Sequence, residues 1–297
     1  MNCSLAIEKK NKSPFFKQLG WCFIVGLILS TGCSTVSKQV QWNVVYSRAG
    51  GADLMMDVYT PSNTTGARLP VVMYIHGGGW VTGGKSMLGM MPGPAELVRR
   101  GYLVVSIDYR LAPEYKFPAM LEDARAAVHF LREHAEEYHL DAHRVGVMGD
   151  SAGGHLASLL ALMDAGSPDR VQAVVDLYGP SDFTGGDMHA SKDTIKLLKD
   201  AFGATNADDP ILKRASPVTY ISSNAPPFLI LHGDHDQRVD LKQSQELDAR
   251  LKAAGADSTL VVITNFAHGY TPLGLTSTPD GATLSKLVAD FFDRNLR

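Results

Sequence analysis

Residues 149–153 read Gly-Asp-Ser-Ala-Gly, with the apolar run HRVGVMGD leading into Ser151 and the small-residue stretch SAGGHLASLLALMDA following it. A serine between glycines at a strand-to-helix turn stands clear of its surroundings, because a Cβ at either flanking position would collide with neighbouring elements. The helix that follows points its positive N-terminal end at the same place, which favours negative charge developing there. This is an arrangement for nucleophilic attack on a carbonyl. A second stretch, His76-Gly77-Gly78-Gly79-Trp80, follows the apolar run LPVVMYI. Consecutive glycines leave backbone N–H groups uncovered, and acyl transfer needs two or more such donors where the oxyanion forms. The amides of Gly78, Gly79 and Ala152 are the expected donors. A phosphate-binding loop is the weaker reading, because no GK[ST] follows at P-loop spacing.

A serine nucleophile needs a base, and the base needs an orienting acid. In a strand–turn–helix of this type the chain order is serine, acid, histidine. Downstream of Ser151, two strand ends carry histidine: HGDHD at 232–236 and NFAHG at 265–269. His268 is the sole histidine after Asp236, so it is the expected base, and Gly269 gives its loop room to turn. The acid is Asp234 or Asp236. Asp236 is favoured, since it lies further from the strand and can reach toward His268, whereas Asp234 suits turn hydrogen bonds to nearby amides. His76 and His155 flank the two catalytic turns and are expected to hold their backbones. His129, His134, His139 and His143 fall on or near a solvated helix face. Their spacing makes no metal site, and neither metal nor cofactor is expected.

The elements that must position these residues alternate along the chain. VQWNVVYS and ADLMMDVYT, joined at Gly50-Gly51, read as an opening hairpin. Strands are expected at residues 69–77, 102–110, 143–150, 171–179, 226–234 and 258–265. Residues 86–100 contain helical material broken at Pro92 and Pro94. Residues 117–140 have helical spacing and alternating charges, so they read as one long amphipathic helix. Further helices follow Ser151, Val239 and Pro279. Continuously apolar strands alternating with helices indicate an α/β fold, with a mostly parallel sheet covered on both faces. Reactive groups then gather at the carboxyl ends of the strands. Residues 181–225, irregular apart from SKDTIKLLKDAF, are long enough for a small lid.

Composition narrows the classes. The chain has 297 residues, 45% hydrophobic and 20% charged, which suits one large globular domain and excludes a disordered chain. Its formal charge of −3 provides no basic excess for a nucleic-acid partner. All three cysteines, Cys3, Cys22 and Cys33, precede the body, so a cysteine nucleophile is excluded there. Residues 1–32 combine a lysine-rich flank with a short apolar run at 21–29, the parts of a secretory signal. Leu29-Ser30-Thr31-Gly32-Cys33 resembles the lipobox of bacterial lipoproteins, which implies lipidation at Cys33 and a cell-envelope location. Residues 33–40 then read as a tether and 41–297 as the catalytic body. Removing residues 1–32 takes away four lysines and one glutamate, leaving 24 basic and 30 acidic residues, a net of −6.

HGGGW, DYRLAPE (residues 108–114), GDSAGGH and HGDHDQRV, in that order, resemble the α/β-hydrolase superfamily and specifically its bacterial carboxylesterases. The first three are similar to esterases of the hormone-sensitive-lipase type. HGDHDQRV is more similar to bacterial feruloyl and acetyl-xylan esterases and to prolyl-oligopeptidase-like enzymes. The resemblance implies an α/β-hydrolase fold over about residues 65–295. It also implies Ser151, Asp236 and His268 as a triad, and Gly78, Gly79 and Ala152 as the oxyanion hole. The expected substrates are small-molecule or glycan esters in an open cleft. Trp80 is placed either at the cleft rim, stacking on a substrate ring, or packed on the oxyanion loop. Arg110 and Glu114 are expected to pair and brace that loop. A peptidase on the same triad and a catalytically inactive lipid-anchored binding protein are the alternatives.

Overall fold

The computed structural model describes residues 39–62, 66–167, 170–185, 192–269 and 277–297. The expected export segment at 1–32, Cys33 and most of the tether lie outside the described residues. The central sheet has eight strands among the described residues. Its first strands, β1 (Gln39–Ala49) and β2 (Ala52–Thr60), form the expected hairpin, and β2 pairs antiparallel with β4 (Leu103–Ile107). From β4 onward every pairing is parallel, through β3 (Leu69–Ile75), β5 (Leu140–Asp150), β6 (Ala173–Leu177), β7 (Phe228–Gly233) and β8 (Ser258–Ile263).

Both faces are covered, and this explains why the inner strands are apolar throughout. All seven residues of β3 are buried. Val71, Met73 and Ile75 point into the core formed with α2 (Ala119–Glu133), α3 (Ala152–Met163) and α6 (Leu241–Ala253). Val72 and Tyr74 point the other way, against α1 (Pro94–Arg99) and α7 (Gly281–Leu296). The period-two alternation thus feeds two cores rather than one core and solvent. Fully burying each such side chain contributes about 1.5–3 kcal/mol, so these layers dominate the stability of the body.

Several boundaries differ from the sequence expectation. β1 begins at Gln39, inside the expected tether, because Gln39 and Val40 pair with Thr60 and Tyr59. The helix expected over 117–140 is confined to α2. His139 adopts φ 52°, which ends any helical continuation, and Leu140 opens β5 instead, opposite Leu69. Tyr138 and Leu140 are buried from a turn and a strand, so their apolar spacing did not signify helix. Within 181–225, α4 (Lys192–Phe202) occupies the expected helical patch, and α5 (Pro210–Ala215) is an addition. Six residues are too few to show a period. Asp209 starts α5 by accepting a hydrogen bond from the Ile211 amide at 3.1 Å.

Candidate active site

The parallel strands deliver Ser151 and the loops carrying His76, Asp236 and His268 to one edge of the sheet. Ser151 sits between β5 and α3 at φ 50°, ψ −117°. This is a strained conformation for a residue with a side chain. The surroundings enforce it. The Ser151 amide donates to the Leu177 carbonyl on β6 at 2.8 Å. A Cβ on Gly149 would overlap the Gly153 carbonyl, and one on Gly153 would overlap the Ile75 carbonyl on β3. The glycines of the motif are therefore demanded by close backbone approach on both sides of the serine.

The glycine loop after β3 is tied to this turn by Asp150. Its Oδ1 accepts from the Tyr74 hydroxyl at 2.6 Å and from the Gly77 amide at 2.9 Å. Burial pushes the Asp150 carboxyl up, and these hydrogen bonds oppose that. The loop then turns through Gly78 at φ 108°, whose carbonyl accepts from the Val81 and Thr82 amides. The amides of Gly78, Gly79 and Ala152 donate no hydrogen bond to any partner among the described residues. They remain available to an incoming oxygen.

Ser151 Oγ lies 2.8 Å from His268 Nε2, and His268 Nδ1 lies 2.7 Å from Asp236 Oδ2. A carboxylate only accepts, so Nδ1 carries the proton and Nε2 is left to accept from the serine hydroxyl. The two loops that bring acid and base together are joined by backbone. His235 N donates to the Phe266 carbonyl at 2.9 Å, and Phe266 N donates to Asp234 Oδ1 at 3.2 Å. Asp234 thus serves the turn and Asp236 meets His268, as the sequence favoured. Tyr178 covers the imidazole edge-on, with ring centroids 4.9 Å apart.

The Asp236 side chain is fully buried. Burial alone raises its carboxyl pKa. Hydrogen bonds from His232, His268 and the Val239 amide outweigh burial and hold the group well below the ordinary carboxylate range. It is therefore ionised wherever His268 is able to work as a base. A hydroxyl on an imidazole whose far nitrogen faces a buried carboxylate can give up its proton as it attacks.

Of the two placements expected for Trp80, the substrate-stacking one is corrected: Trp80 is only 3% exposed, so it offers no ring to a substrate. Its indole packs against Phe183 and Phe202, with centroids 5.8 and 4.9 Å away, and its Nε1–H donates to His155 Nδ1 at 3.1 Å. Trp80 thereby locks the glycine loop onto α4, which carries Phe202. The expected Arg110–Glu114 pair is corrected as well: Arg110 pairs with Asp123 on α2 rather than with Glu114, through contacts of 2.7–2.9 Å. The expectations for His155 and His76 agree with their contacts: His155 Nε2 donates to the Ala215 carbonyl at 2.7 Å, and His76 Nδ1 lies 2.6 Å from the Gly77 carbonyl.

Sequence reasoning missed Asp150, His232 and Leu197. The first was the unspecified residue of its motif, although a carboxylate ending an apolar strand is a signal for a buried acceptor. Leu197 on α4 lies 3.3 Å from the position a Cβ of Gly79 would take. Nothing in its own stretch points to that contact.

The family model BD-FAE matches residues 56–251. Among curated relatives, Esterase LipQ of Mycobacterium tuberculosis is 31% identical over 255 residues, covering 82% of this chain and 59% of LipQ. Carboxylesterase NlhH of the same species is 35% identical over 248 residues, covering 76% of this chain and 74% of NlhH. A solved truncated carbohydrate esterase from gut microbiota superposes with a TM-score of 0.72 at 26% identity, covering 88% of this chain and 96% of that one. The chain spans between a half and two thirds of the length of the curated relatives it first matches. With its mostly parallel sheet and these relatives, the chain belongs to the BD-FAE family within the α/β-hydrolase superfamily.

Proposed function

We propose that the protein is a serine carboxylesterase acting on short-chain or carbohydrate-linked carboxylic esters. The reading is carried by the hydrogen-bonded series Ser151–His268–Asp236 beside free backbone amides. Ser151 Oγ attacks the ester carbonyl while His268 Nε2 takes its proton. Asp236 holds the Nδ1–H tautomer and stabilises the imidazolium. The amides of Gly78, Gly79 and Ala152 receive the oxyanion. His268 returns the proton to the leaving alcohol, and water attacks the acyl-enzyme by the reverse sequence to release the acid. The esterase names of LipQ and NlhH support the reaction class.

A carbohydrate alcohol is favoured by the carbohydrate esterase among its structural neighbours and by a second neighbour, a bifunctional GH43-CE protein of Bacteroides eggerthii, 28% identical with a TM-score of 0.71. The test is a panel of p-nitrophenyl esters of increasing chain length together with acetylated xylan. Acetate and xylan are expected to be turned over, and Ser151→Ala is expected to lose at least about 10⁴-fold in kcat. Unchanged turnover in that variant overturns the proposal. The N-terminal proposal is export with a lipid on Cys33. Cys33→Ala is expected to move the protein from the membrane fraction to the soluble one, and an unmoved protein argues against it.

A further inference from the structure

Asp236 stands between two histidines. On its outer side is His268. On its inner side is His232 at the end of β7, fully buried, whose Nε2 lies 3.2 Å from Asp236 Oδ2 and 2.9 Å from the Val239 carbonyl. The His232 Nδ1 lies 2.7 Å from the hydroxyl of Ser244 on α6, also fully buried. A carbonyl oxygen only accepts, so Nε2 must carry a proton. That N–H is shared between the Val239 carbonyl and the Asp236 carboxylate, and Nδ1 accepts from the Ser244 hydroxyl. Ser244–His232–Asp236 therefore repeats, behind the acid, the Ser–His–Asp order found in front of it.

The two oxygens of Asp236 are held differently. Oδ1 accepts the amides of Arg238 and Val239 at 2.8 and 3.0 Å. These fix one end of the carboxylate to its own turn. Oδ2 is the oxygen that faces His268, and His232 is the second donor that reaches it. Two donors on Oδ2, with two amides on Oδ1, restrict rotation about the Cβ–Cγ bond and keep an Oδ2 lone pair on the line to His268 Nδ1.

We infer that His232 is a positioning residue for the proposed hydrolysis, aiming Asp236 Oδ2 at His268 through its Nε2–H. It touches neither substrate nor the reacting atoms. The inference rests on the triad reading above, and its failure is separable from the failure of that reading. Ser151→Ala and Asp236→Asn test the triad, whereas only His232 variants test this role.

Glutamine places an amide N–H near the Nε2 position and gives up the Ser244 contact. Asparagine places its amide near Nδ1, keeps a partner for Ser244 and cannot reach Asp236. Kinetics on p-nitrophenyl acetate are measured for both, with melting curves establishing that each is folded at the assay temperature. His232→Asn is expected to lower kcat about tenfold with KM unchanged, and His232→Gln to stay within about threefold of the parent. The rate of fluorophosphonate labelling at Ser151 is expected to follow kcat. A folded His232→Asn with parental kcat overturns the inference, as does a folded His232→Gln that loses as much as His232→Asn. Should the asparagine variant fail to fold, a glutamine variant with kcat reduced tenfold while folded overturns it, and one that retains kcat supports it.

Discussion

Acid is expected to loosen the junction between the glycine loop and α5 through His155. The imidazole is fully buried, accepting from Trp80 Nε1–H at 3.1 Å and donating to the Ala215 carbonyl at 2.7 Å. A second proton on Nδ1 would face the indole N–H, donor against donor. Burial pushes the His155 pKa down from 6.5 to about 4. The folded value lies below the unfolded one, so as pH falls the unfolded chain takes up the proton first. This stabilisation is complete above about pH 6.5 and is lost progressively as pH falls toward about 4. Integrated between about pH 7.5 and about pH 4.5, the loss is about 2–3 kcal/mol, a large share of a typical total of about 5–15 kcal/mol. With a urea m-value of about 2.5 kcal/mol/M, the midpoint moves by about 1 M. His76, whose pKa burial also lowers, loses stabilisation in the same direction. The His155 share is therefore read as a difference. Urea midpoints of the parent and of His155→Gln are measured across that range, and the parent is expected to fall more steeply by about 1 M. Parallel midpoint–pH lines would refute the reasoning.

Other outcomes follow from single contacts. Gly153→Ala places a Cβ against the carbonyls of Ile75 and His76. It is expected to cost about 1–3 kcal/mol in urea denaturation and to abolish most esterase activity by displacing Ser151. Arg110→Met leaves the buried carboxylate of Asp123 without its guanidinium partner. It is expected to cost about 3 kcal/mol and lower Tm by about 6–12 °C by calorimetry. Glu114→Ala, by contrast, is expected to shift Tm by less than about 2 °C, since Arg110 does not pair with it. Equal shifts in the two variants would contradict the assigned pairing.

What was legible in the sequence was whatever short stretches of backbone impose. The serine turn could be read because the glycines at 149 and 153 exclude side chains for reasons confined to the turn and the adjoining β3. His268 and Asp236 could be read because parallel strands end at one edge, and few candidates stand at those ends. Partners chosen by docking helices could not. Arg110 bonds to Asp123 because of where α2 lies, whereas nearness along the chain points to Glu114. Trp80 is buried because Phe183 and Phe202 converge on it from the segment after β6. The helix expected over 117–140 outruns α2 because Tyr138 and Leu140 keep an apolar rhythm after the helix has ended at Glu133, one buried from a turn and the other from β5.

The central claim is that Ser151, activated by His268, is the nucleophile. Its most direct measurement is intact mass and peptide mapping after reaction with a fluorophosphonate, alongside residual esterase activity. The account predicts a single phosphonyl adduct on the Ser151 peptide that grows in step with the loss of activity, and no adduct in His268→Ala on the same timescale. Full inactivation with the label on another residue, or full activity with Ser151 modified, would contradict it.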